Sequence, residues 1–448
     1  MATSHPQPEA VRFNERPHRT FVALSIPVLF SLVAEPVTGL VDTAFVAQLG
    51  AEALAGLGVG TIVLSGVFWA FNFLGIGTQT EVAQAFGGEA TVRARQITGL
   101  AMALGVGIGV AMIVLGLPLA EPAAVAMGGE GAVTAAAVEY MRVRLFGTPA
   151  VLVTMVAFGT MRGMQDMRTP LWIAVGVNAL NVLLDPLLIF GYGPIPALGV
   201  AGAAGASTIA QWLGAMWAVG VLAKRLGRPA RLPVEDIRKL LRIGGDLFVR
   251  TGFLLSFLVL ATRSATTISA EAGAAHQAIR QVWVFTALFL DAFALTAQSL
   301  VGYFYGAGAI RDARRVAGVA VVWSLATGVG LAGAMLLGER WVADLLVPAS
   351  AVALFGPAWA LAALTQPFNA LAFATDGVHW GTSDFRYIRN ATVLATLIGA
   401  AGLYVLDESA EGAFTLVWWI TVGWIAIRAG LGMWRIWPGR NGPLADGR

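Results

Sequence analysis

Four polar side chains stand inside long apolar runs of this sequence, where they could handle a proton or a small cation. Asp42 lies within LFSLVAEPVTGLVDTAFVAQLG (residues 29–50) and Asp185 within NALNVLLDPLLIF. An ionised carboxylate in hydrocarbon is costly unless it is paired, hydrated or protonated, so acids at such positions are functional-site candidates. Asn178, Asn181 and Asp185 are spaced i, i+3 and i+7 and share one helical face. A lipid-facing surface would not hold two amides and an acid, so that face points inward. Ser207 and Thr208, on the next apolar run, add hydroxyls. Two acids in contact titrate as a pair. Such a pair can take a proton at one membrane face and release it at the other. The same residues also fit a plainer role, a polar network that only ties helices together.

Other charges are less decided. Glu35 lies seven residues before Asp42, roughly on its face, and either lines a cleft or pairs with an arginine. Pro27 and Pro36 interrupt the first run; each removes a backbone hydrogen bond and permits a bend. That bend is either a static kink or a link between protonation and helix shape. In the second half, Arg250, Arg263, Asp291 and Asp376 fit structural ion pairs or a transport role, and Asp376 is a candidate second ion site. Asp166 with Arg168, and Asp384 with Arg386, read as loop-locking or gating pairs at helix ends.

Composition says what holds these groups. Of 448 residues, 57% are hydrophobic and 12% charged, and the mean hydropathy is +0.74. A soluble chain of this length carries far more charge, so the expected class is an all-α polytopic membrane protein. There is no cysteine, hence no thiol catalysis or zinc-thiolate site. Four histidines and no HExxH offer no metal centre, and neither lysine stands in a Walker A loop. The reading is a protein that is not an enzyme, needs no cofactor and binds no nucleic acid. GVGIG (105–109) and GVAGAAGA (199–206) place small residues for close helix packing in lipid. Residues 1–20 are polar and lead into a full-length apolar run, with no cleavable signal pattern.

Spans of about 20 apolar residues number twelve: 20–46, 54–84, 96–118, 145–161, 170–191, 199–223, 243–268, 276–304, 314–337, 351–377, 390–406 and 413–436. Most arginines then fall on one side, with Arg142, Arg144, Arg280 and Arg340 on the other. That asymmetry puts both termini in the cytoplasm of a multi-pass inner or plasma-membrane protein. An internal repeat divides the chain. MRGMQDMRTP (161–170) resembles HWGTSDFRYI (379–388), and AQAFGGEATVRARQ (83–96) loosely matches VGYFYGAGAIRDARR (301–315). Six helices separate the copies, so the repeats are parallel. The expected layout is a tail (1–19), an N-lobe of helices 1–6 (20–223), a cytoplasmic linker (224–242), a C-lobe of helices 7–12 (243–437) and a tail (438–448).

Four stretches carry a family resemblance: EPVTGLVDTAFVAQLG (35–50), FGTMRGMQDMRTPL (158–171), AAHQAIRQVWVFTALFLDAFALTAQSLVG (274–302) and FATDGVHWGTSDFRYIRNA (373–391). They resemble the MATE (multidrug and toxic compound extrusion) transporters, in particular their DinF-like branch. The resemblance implies a twelve-helix, two-lobed, V-shaped exporter; the anionic Asp42 and Asp185 point to small amphipathic, cationic compounds as its substrates, and a monomer in the bilayer is the expected state. It implies antiport driven by a proton or sodium gradient, with coupling at positions matching Asp42, Asp185, Asn181 and Ser207. Another branch uses a seventh-helix glutamate with the tenth-helix acid for sodium. Here the acid matches Asp376, but the seventh helix offers Arg250, Ser256 and Arg263 and no glutamate. That departure favours protons. Sodium-coupled antiport and a lipid-precursor flippase stand as alternatives; a flippase would be expected to need a cationic cleft for phosphates, and the acids argue against it.

Overall fold

The computed structural model describes residues 9–228, 232, 234–437 and 442–445, and nearly all of them are helical. In chain order the helices are α1 (Glu9–Glu15), α2 (Pro17–Ala47), α3 (Ala51–Ala70), α4 (Phe73–Gly87), α5 (Thr91–Ala126), α6 (Gly131–Leu145), α7 (Thr148–Gly163), α8 (Arg168–Ile189) and α9 (Gly199–Leu226). The second half adds α10 (Ile237–Ile268), α11 (Ala270–Gly306), α12 (Ile310–Leu346), α13 (Val352–Gly381), α14 (Phe385–Tyr404) and α15 (Ala413–Ile436). Among the described residues there is no strand, only an isolated bridge between Tyr192 and Ile195. In lipid every backbone polar group must be satisfied within its own segment, which a continuous helix does.

Ten spans are long and apolar enough to cross a bilayer, with α3 and α4 together making one of them. The pair α6–α7, bent by 53°, makes an eleventh. The 20-residue α14 completes the twelve; its first turns carry Arg386, Arg389 and Asn390, which lower its hydropathy. The span expected at 145–161 starts earlier than the apolar run suggests. The chain is already helical from Gly131, passes through Arg142 and Arg144, and turns at Phe146 and Gly147. Arg144 is buried with its guanidinium on Gln211, so it does not end the helix.

The polar linker is also more ordered than its composition suggests. Helix α9 runs on to Leu226, a 3-10 turn covers Val234–Asp236, and α10 begins at Ile237 and continues into the seventh span. Asp236 pairs with Arg93, and Lys239 Nζ lies 2.6 Å from Glu81 Oε2. Residues 229–231 and 233 of the linker, 1–8 of the first tail, and 438–441 and 446–448 of the last lie outside the described residues.

Two compact units result. One holds residues 30–244; the other holds 245–448 together with the chain up to Leu29. In the latter, Phe21 stacks on Phe293 with centroids 5.9 Å apart, and Ser25 Oγ donates to Thr296 Oγ1 at 3.1 Å. In the former, Ile243 and Gly244 pack on Gly77 and Phe73 in the equivalent register.

The repeat read from the sequence recurs as packing. A Cβ built on Gly159 of α7 would lie 2.3 Å from the Gly75 carbonyl oxygen of α4; one on Gly377 of α13 would lie 2.2 Å from the Ala294 oxygen of α11. One turn on, Gly163 faces the Gln79 oxygen at 2.8 Å, and Gly381 faces that of Gln298 at 2.9 Å. Both units therefore rest on the same small-residue crossing, in which backbones touch and dispersion replaces the missing hydrophobic drive. Gly159→Val is expected to destabilise the protein by about 1–3 kcal/mol or more, the range for overpacking. Gly107→Leu, where a Cβ meets nothing within 4 Å, should leave stability unchanged. Melting of the two detergent-solubilised variants checks this, and equal melting would refute the tight crossing.

Candidate functional site

Helix α8 is set by its N-terminus. Asp166 Oδ1 accepts hydrogen bonds from the backbone N–H groups of Arg168 (3.1 Å) and Thr169 (3.0 Å), and its other oxygen pairs with Arg225 at the end of α9. This corrects the Asp166–Arg168 ion pair expected from sequence: the Arg168 side chain is exposed and only its backbone is used. The counterpart is similar. Asp384 meets Arg435 Nε at 3.0 Å and His379 Nδ1 at 3.5 Å, while Arg386 is exposed. In each unit the last long helix is thus tied to the same loop.

Further along, α8 meets α9 at Gly202, where an added Cβ would lie 2.3 Å from the Leu188 oxygen. That close approach places Ser207 beside Asn181. Asn181 and Asp185 are buried, as their shared face requires, and Asp42 comes in half-buried from α2.

The amide of Asn181 satisfies its neighbours in one orientation. Its Nδ2 donates to Asp42 Oδ1 at 2.9 Å, and its Oδ1 accepts from Ser207 N and Oγ, both at 3.1 Å. Asp42 and Asp185 face each other within side-chain hydrogen-bonding reach. Neither Asp185 oxygen has a hydrogen-bond partner among the described residues. A carboxylate has no hydrogen to donate, so a bond between the two requires a proton on one of them. The cation whose field reaches Asp42 is Arg144. Its Nη1 donates to Gln211 Oε1 at 2.7 Å, and it sits over the Phe68 ring at 5.8 Å. The sequence places Arg144 just outside the span expected at 145–161, with no sign of this role.

The remaining candidates divide. Asn178 is half-buried and makes no hydrogen bond to the pair, and Thr208 Oγ1 turns away toward the Val143 oxygen at 3.4 Å. Glu35 is exposed and has no ion-pair partner among the described residues. Helix α2 continues through Pro27 and Pro36 without a break, although neither proline can supply the N–H of an ordinary helical turn. Arg263 is exposed on α10.

Asp376 lies in the other unit, in a different setting. It pairs with Arg250, and Arg428 Nη2 is 3.4 Å from the same oxygen; all three are buried. Arg250 also lies over Trp380 and Arg428 over Trp424, at 5.4 and 4.9 Å. Arg428 stands inside the apolar span 413–436 and so carries the same sequence signal as Arg250. Among the described residues no cluster of three or more histidine, aspartate or glutamate side chains could hold a metal ion.

The MatE family model matches residues 27–187 and 249–405, one stretch in each half. The chain is 31% identical over 440 residues to Protein DETOXIFICATION 44, chloroplastic, of Arabidopsis thaliana, covering 94% of this chain and 82% of that one. It is 29% identical over 294 residues to DNA damage-inducible protein F of Escherichia coli (strain K12), 63% of each chain. A solved structure described as "Crystal structure of MATE in the bent conformation" superposes with a TM-score of 0.86 at 20% identity, over 95% of this chain and 97% of that one. Two matched halves, twelve spans, a small-residue crossing repeated in each half, and polar groups sunk among the helices agree: the chain belongs to the MATE family of multidrug and toxic compound efflux transporters.

Proposed function

We propose that this transporter is a proton-coupled antiporter in which Asp42 and Asp185 hold the coupling proton. The facing of these two carboxyl groups carries the reading, because a fully buried acid opposite a second acid is relieved by one shared proton. Asn181 positions Asp42 through its Nδ2, and Ser207 orients the amide. In this scheme the pair loads a proton from the outer face while substrate leaves, then releases it inward. The membrane potential adds about 2.3 kcal/mol per charge per 100 mV to that cycle. The substrates are small amphipathic compounds, cationic ones fitting the acidic pair. Both termini lie on the cytoplasmic side of the cell membrane, the chain works as a monomer, and the ion gradient is its only energy source.

One observation favours a proton over sodium. The acid that would anchor a second cation, Asp376, is already neutralised by Arg250 and Arg428.

Packing favours α2 as the moving part. Thr20, Phe21, Leu24, Ser25 and Val28 are buried, whereas from Phe30 to Ala47 only Thr38 and Val46 are. Few buried contacts mean a low cost of local rearrangement, and the hydrogen bond missing at Pro36 marks where it would occur.

Asp42→Asn should reduce pH-gradient-driven efflux from proteoliposomes to the protein-free background, with the protein still folded and still binding substrate; undiminished efflux would overturn the coupling role. Removing sodium should leave the unaltered protein's transport intact. Asp376→Asn is expected to act on stability. Leaving two buried guanidiniums short of their counter-charge costs about 3–5 kcal/mol, so its melting temperature should fall while any folded fraction keeps proton coupling. A stable Asp376→Asn protein that had lost coupling would contradict this assignment.

A further inference from the structure

On the unit spanning residues 30–244, the short helix α7 leaves a groove between its longer neighbours α5 and α9. The groove encloses about 540 Å³, within the range of small-molecule sites. Val153 of α7 forms its floor. Met102 and Val106 of α5 and Trp212, Met216 and Val219 of α9 form its walls. Small residues keep it open; a Cβ on Gly220 would meet nothing within 4 Å. One end differs. There the lining is Arg95 and Arg228, and no carboxylate pairs with either among the described residues. Arg95 Nη1 reaches only the Leu226 oxygen, at a long 3.5 Å, and its Nε has no partner.

We infer that this groove binds an anionic phospholipid, its phosphate between Arg95 and Arg228 and one acyl chain along Met102, Val106 and Met216. Length supports the fit. Arg95 and Val106 are about 16 Å apart along α5 at ~1.5 Å per residue, close to one leaflet of a ~30 Å hydrocarbon core. The arginines therefore reach headgroup depth when the apolar part of the groove fills a single leaflet. Charge selects the class. Two cations without acidic partners favour a net-negative headgroup over a zwitterionic one, because each basic residue near an anionic lipid surface adds to binding.

The test is native mass spectrometry of the full-length purified protein, titrated with phosphatidylglycerol or with phosphatidylcholine of the same acyl chains. The unaltered protein should retain phosphatidylglycerol in preference. Arg95→Gln with Arg228→Gln should weaken that lipid by about tenfold or more and leave phosphatidylcholine unaffected. Gly220→Leu, which fills the groove away from the charges, should reduce retention of both. Equal retention of the two lipids by the unaltered protein would overturn the inference. So would an undiminished preference in the double variant, or Gly220→Leu binding as the unaltered protein does.

Discussion

The cost of an ionised carboxylate in a low-dielectric interior governs this protein. Asp185 is fully buried and faces Asp42, and among the described residues no cation is hydrogen-bonded to either. Like charges so placed cannot both persist without water, a cation or a proton. The surrounding residues supply donors for one carboxyl group only. Asn181 serves Asp42, Ser207 holds Asn181, and Asp185 is left to its neighbour. The site thus solvates one charge well and two badly, which is the condition that the proposed proton coupling requires.

The two halves share a scaffold and differ in chemistry. The crossings at Gly159 and Gly377 are equivalent to within a residue of register, as are the aspartates that tie each last helix to its loop. The buried charges have no such equivalents. At the repeat offset of about 218 residues, Asp42 and Asp185 correspond to Leu260 and Leu403, while Arg250 and Asp376 correspond to Leu32 and Phe158. The unit carrying Asp376 closes its charge internally, two guanidiniums against one carboxylate with tryptophan rings over them. Duplication supplied the packing, which has to be the same in both halves, and left the polar interior free to diverge.

Features written in local periodicity were legible in the sequence; those made by distant contacts were not. The spans followed from apolar runs, and of the three residues whose spacing defined an inward face on α8, Asn181 and Asp185 are buried while Asn178 is half-buried. The start of α6 was hidden because Arg142 and Arg144 look like a helix end until Gln211, 67 residues away, is seen to receive the guanidinium. The partner of Asp166 was misjudged for the same reason: Arg168 is near in sequence, but Arg225 is near in space. The helical start of α10 was obscured by charges that are satisfied on Arg93 and Glu81. Thr208 shares its helix with Ser207, yet one residue of rotation sends its hydroxyl to the Val143 carbonyl.

That rotation also explains why the site is small. Helix α9 can offer one hydroxyl to Asn181, and α8 offers one amide and one acid, so a fourth polar group must come from a different helix. It comes from α2, whose inner stretch buries little beyond Thr38 and Val46 and whose backbone lacks a hydrogen bond at Pro36. A carboxyl group on a well-packed helix would be fixed at one distance from its partner, and its affinity for a proton would be constant. Asp42 sits on the sparsely buried inner stretch of α2, so the separation of the two acids can vary with the shape of that stretch. Because their mutual repulsion depends on that separation, the proposed coupling would link helix shape to proton affinity, and a substrate that altered the first would alter the second.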